Sequence, residues 1–180
     1  MHRRLLLSIA LCAADLSAQP RTASLRCETA VPQIQFAAGE IHRALAARGI
    51  TLAEGPLSGL SGDTAATRFV LASGNDASRI ATQLGVSALK STAPQSYAIR
   101  VTAQSGTHTY AVLAPDAAGV MYGGLDLAEA IRLDSLEAMG NSDHAPHIAR
   151  RGIKFNIPLD VRTPSYSDSG DAAQQNIPEM

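Results

Sequence analysis

The chain has 180 residues and a formal net charge of −1; 46% of its residues are hydrophobic, 4% are aromatic and none is Trp. Outside the N-terminus it has no Lys/Arg cluster, which argues against nucleic acid or an anionic membrane surface as a partner. The shortage of aromatics argues against a carbohydrate-binding module that stacks sugars on exposed rings.

The opening MHRRLLLSIALCAADLSAQP follows the order of a secretory signal peptide. Basic His2-Arg3-Arg4 precedes an apolar run from Leu5 to Ala14, and small residues follow. The run is too short to span a bilayer as a helix. Cleavage is expected after Ala18, with Ala14 as the alternative, giving a secreted or periplasmic product from which residues 1–18 are removed. A lipidated Cys12 is disfavoured by the bulky Leu11 before it. Cleavage leaves Cys27 as the single cysteine, so no intrachain disulfide is available.

Residues 31–133 read as one globular α+β domain. Ile34, Ala38, Ile41 and Leu45 recur at helical spacing over 31–48, and Gly49 closes that helix. A short strand is predicted over 50–53, and a Gly/Ser/Pro-rich loop over 54–67. Phe69-Val70-Leu71-Ala72 is a compact apolar strand. A helix over 76–84 ends at Gly85. The clearest signal is a hairpin: Tyr97, Ile99, Val101 and Ala103 alternate with polar residues, AQSG turns the chain, and His108, Tyr110 and Val112 alternate again. Residues 115–133 form a helix with Asp116 as N-cap. Its Gly119, Gly123 and Gly124 are best explained as room for close packing on the sheet, since the charges at Asp126 and Glu129 exclude a membrane dimer motif. The expected fold is a two-layer sandwich, a mostly antiparallel four-stranded sheet with helices packed on it.

Residues 134–149 are polar, carry Gly and Pro, and read as a linker. The segment RRGIKFNIPLD at 150–160 then alternates Ile153, Phe155 and Ile157 with Lys154 and Asn156. An edge strand gives this pattern, and so does the first strand of a (β/α)8 barrel, in which Asn156 would approach the substrate mouth. Residues 150–180 are expected to be the incomplete start of such a barrel. Its bare apolar side should make a chain running from 19 to 180 less soluble than one stopping near Leu133.

No nucleophile–base pairing, GxSxG or HExxH pattern occurs in 19–149. His42 is expected on a helix surface and His108 in or beside the sheet. Asp143, His144 and His147 lie close in sequence, but solvated linker side chains are the simpler account than a metal site. No catalytic residue, metal or cofactor is assigned.

Two stretches together resemble a known family. AGVMYGGLDLAEAI at 118–131 looks like the helix that ends the N-terminal α+β accessory domain of β-hexosaminidases and α-glucuronidase-like glycoside hydrolases. The order of hairpin 96–114, Pro115-Asp116, Gly119-to-Gly123 helix, linker and Arg151-Gly152 strand strengthens the resemblance, which covers about residues 31–160. It implies a non-catalytic domain abutting a glycosidase barrel of the same polypeptide. That barrel would supply the paired carboxylates and meet a glycan containing uronic acid or amino sugar. Asn156, Asp160 and Arg162 are the substrate-binding candidates. The pattern departs from β-hexosaminidases, which carry Asp where Asn156 stands and Arg where Leu159 stands. The chain alone is expected to be inactive. The alternative is a free-standing periplasmic binding or interaction domain without enzymatic activity.

Overall fold

The computed structural model describes residues 22–28 and 30–148. One compact unit extends to Pro146, and a second begins at His147, of which only residues 147 and 148 are described. Chain order is β1 (Thr22–Cys27), α1 (Pro32–Ala46), β2 (Thr51–Pro56), β3 (Thr67–Ser73), α2 (Gly74–Leu84), β4 (Tyr97–Gln104), β5 (Thr107–Ala114), α3 (Ala117–Arg132) and β6 (Ser142–His144).

The fold is α+β, but its sheet differs from the expected one. It has six strands in the order β2-β1-β3-β5-β4-β6. β1 pairs in parallel with β2 and with β3, and β3 pairs in parallel with β5; β4 is antiparallel to both β5 and β6. The predicted four-stranded, mostly antiparallel sheet is thus corrected to a mixed sheet. The predicted hairpin is only its antiparallel part, and the described fold takes in residues on both sides of 31–133. The predicted barrel start at 150–160 lies outside the described residues.

The expected two layers are three, and strand periodicity shows why. Phe69 and Leu71 of β3 join Leu25, Val112, Ile34, Ile41, Leu127 and Ile131 in a core under α1 and α3. Their neighbours Val70 and Ala72 point the other way, joining Ala111, Leu113, Ala77 and Ile80 in a second core under α2. Strands buried on both faces read as unbroken apolar runs, as FVLA in β3 and AVLA in β5 do. Burying a Leu, Ile or Phe contributes about 1.5–3 kcal/mol each, so both cores are needed for stability.

Local chemistry sets the joints. Pro32 opens α1, where its missing N–H costs nothing. The hairpin turns on Ser105 and Gly106, both at positive φ, in the two-residue form that matches strand twist. The Asp116 carboxylate accepts from the Gly119 N–H at 2.7 Å and from the Gln95 N–H at 2.8 Å, so the α3 cap also fixes the loop before β4. A Cβ on Gly119 would overlap the Ser96 carbonyl oxygen. One on Gly124 would stand 2.6 Å from the Ala37 Cβ, so this glycine seats α3 against α1 rather than against the sheet. Arg132 and Arg43 both pair with Glu40, tying the outer sides of those helices together.

Candidate functional site

Arg100 is fully buried on the α2 face of the sheet, and all five of its N–H donors are used. Nε donates to the Ser87 carbonyl at 3.0 Å; Nη1 to the carbonyls of Ile99 and Ser142 at 3.1 and 2.8 Å; Nη2 to the Ala88 carbonyl at 3.0 Å and to Asp143 Oδ1 at 2.7 Å. Partial burial pushes the Asp143 carboxyl up, but hydrogen bonds from Arg100 and Lys90 outweigh it and hold it below the usual carboxylate range. At the other side of the sheet Arg26 Nε meets Asp63 Oδ2 at 2.6 Å. Burial raises the Asp63 carboxyl, yet the Ala65 N–H and Arg26 together bring it below its ordinary value.

Next to β6 the Tyr97 ring lies under His144, with centroids 4.6 Å apart and planes 9° from parallel. Its hydroxyl donates to Asp126 of α3. Burial first, then the Asp126 charge, pushes the phenol well above its ordinary range, so Tyr97 stays protonated. Ser142 Oγ lies 3.0 Å from His144 Nε2, a contact that by distance alone suits a nucleophile and its base. Such a pair needs a third group to orient the imidazole. Here Asp126 is engaged by Tyr97 and Asp143 by Arg100 and Lys90, so among the described residues no carboxylate orients the imidazole.

A second region of interest lies elsewhere. A cleft of about 780 Å³ opens where β1, β3 and β5 begin, between the C-terminal ends of α1 and α3. Leu45, Ile50, Ile131 and Leu136 supply apolar walls. Arg48 crosses one side, donating to the Ile131 carbonyl at 2.8 Å and pairing with Asp134. Thr22, Thr67, His108 and Glu137 reach the same space, with Tyr110 at its base. Burial, then the Glu137 charge, raises the Tyr110 phenol.

The substrate-binding candidates Asn156, Asp160 and Arg162 lie outside the described residues. Asp143 and His144 are exposed, as solvated side chains are, while Asp143 also pairs with Arg100 and His144 stacks on Tyr97; among the described residues no group of three His, Cys, Asp or Glu side chains gathers as metal ligands do. His42 sits exposed on α1 against Glu54, and His108 lies exposed in β5 at the cleft. Cys27 is a buried free thiol, its pKa raised by burial and then by Glu54. Sequence reasoning missed the cleft because it joins five separated segments, none of which carries a motif.

No family model and no curated protein matches this chain. Among solved structures a distant neighbour is a glycoside hydrolase, a GH138 enzyme targeting pectin rhamnogalacturonan II. It is similar at 13% identity and a TM-score of 0.48 over 69% of this chain. The match spans about 15% of that enzyme's length.

Proposed function

We propose that this chain is a non-catalytic accessory domain of an exported glycoside hydrolase, of the kind found before the barrel in β-hexosaminidase and α-glucuronidase-like enzymes. The observation that carries the reading is the build of the segment bearing the resemblance. Hairpin, Asp116 cap and glycine-faced α3 form one tightly joined unit, Gly119 lying against Ser96. The charged pairs Arg100–Asp143 and Arg26–Asp63 are consumed in holding strands together, which suits a scaffold better than a catalyst. On this reading catalysis and glycan specificity belong to a barrel of the same polypeptide, with Asn156, Asp160 and Arg162 near its substrate mouth. Residues 1–18 direct export to the periplasm or beyond.

The test begins with the gene downstream of codon 180 and with the protein. An open frame carrying two acidic residues at later strand ends is expected, as is a secreted product whose first residue is Gln19. The purified chain is expected to leave nitrophenyl glucuronides and N-acetylglucosaminides intact. Hydrolysis by this chain alone overturns the reading. A binding domain without activity is the second reading, and the cleft at the β1/β3/β5 end favours it.

A further inference from the structure

The cleft is neither a packing defect nor a continuation of the polar clusters that join the strands. Its volume, about 780 Å³, lies in the range of small-molecule pockets. Leu45, Ile50, Ile131 and Leu136 give it aliphatic walls, and Thr22, Thr67, Tyr110 and Glu137 line it too. In open α/β sheets ligands normally gather at the carboxyl ends of parallel strands. This cleft lies at the opposite end: Thr22 and Thr67 are the first residues of β1 and β3, and His108 the second of β5.

Charge decides what fits. Arg48 is paired with Asp134 and anchored to the Ile131 carbonyl, so its formal charge is balanced within the cleft. Among the described residues Glu137 has no cationic partner, and its field reaches the Tyr110 hydroxyl. The uncompensated charge that those residues bring to the cleft is therefore negative. The hydroxyls of Thr22, Thr67 and Tyr110 can accept hydrogen bonds beside it.

We propose that the cleft binds a small organic ammonium ion with a compact apolar body, the ammonium between Glu137 and Tyr110 and the body against Leu45, Ile50, Ile131 and Leu136. A carboxylate of the same shape would meet Glu137 as a like charge and find Arg48 already paired with Asp134. The inference needs neither functional reading, since a cleft within this fold binds whether or not a barrel adjoins it.

Benzylamine, benzyl alcohol and benzoate share one apolar body and differ in charge, which makes them the probes. Amide resonances of the purified chain are followed as each is titrated. Benzylamine is expected to shift Thr22, Thr67 and Leu136 and to bind about fivefold more tightly than benzyl alcohol, with benzoate weakest. Glu137 is exposed, so Glu137→Gln should fold normally; it should abolish the advantage of benzylamine and leave benzyl alcohol unaffected. Benzoate binding as tightly as benzylamine overturns the proposal. So does an amine preference that survives Glu137→Gln, and so does an absence of shifts at these three residues.

Discussion

At the β6 edge of the sheet the arginine is sealed and its acid is wet: the Arg100 side chain is 1% exposed and Asp143 23%. At the β2 side the order reverses, with Arg26 at 18% and Asp63 at 3%. Each arginine pins a stretch with no periodic pattern of its own. Arg26 reaches Asp63 in the connection between β2 and β3, where Leu57 and Leu60 enter the core under α2. Arg100 reaches Ser142 and Asp143 together with the Ser87–Ala88 loop. A single guanidinium can thus order a segment that hydrophobic pattern leaves unspecified, and the depth of its head sets how much depends on it. Removing one partner of a buried pair leaves a desolvated group with no compensation, a far larger loss than at the surface.

The largest effect is expected from Arg100→Met, which removes at once the donors that hold Ser87, Ala88, Ile99 and Ser142 and leaves Asp143 with Lys90 alone. Urea unfolding should show a loss of about 3–5 kcal/mol. Ending the chain at Leu133 rather than Pro146 removes both β6 acceptors and the β4–β6 pairing, and is expected to cost about 3 kcal/mol by the same assay. The loss arises because a buried guanidinium would lose its counterion. Arg26→Met should cost about 2 kcal/mol, since water reaches part of that side chain and the Ala65 N–H still serves Asp63. Equal losses for Arg26→Met and Arg100→Met would break the contrast between the two edges.

The same contrast marks what the sequence made legible. The hairpin was readable because eight-residue strands flank a Ser-Gly turn, and Asp116 because a cap announces itself beside a helix. β1 carried its own signal, Ala23, Leu25 and Cys27 alternating with Ser24 and Arg26, but six residues directly behind a signal-like segment were passed over. β6 has three residues, too few to show any period. The parallel pairing was foreshadowed only by the unbroken FVLA and AVLA runs. The cleft was invisible, because Thr22, Thr67, His108 and Glu137 meet only when β1, β3 and β5 lie side by side.

Acid separates the two edges in the opposite sense, and with the smallest effect. Both carboxyls titrate below their ordinary value in the folded chain. As pH falls, the unfolded chain therefore takes up protons first, near the ordinary Asp value of about 3.9. The stability each pair contributes is complete above that value and is lost as pH drops through the depressed one. Here the partners of the acid matter rather than the depth of the arginine, and Asp63 has a backbone N–H as well as a guanidinium to hold its charge against the cost of burial. Thermal unfolding between pH 5 and pH 2 should therefore lose more of its acid dependence in Asp63→Asn than in Asp143→Asn. If Asp143→Asn flattens the profile more, the depth of the arginine governs both partners, and the two edges differ in degree rather than in which member of the pair is sealed.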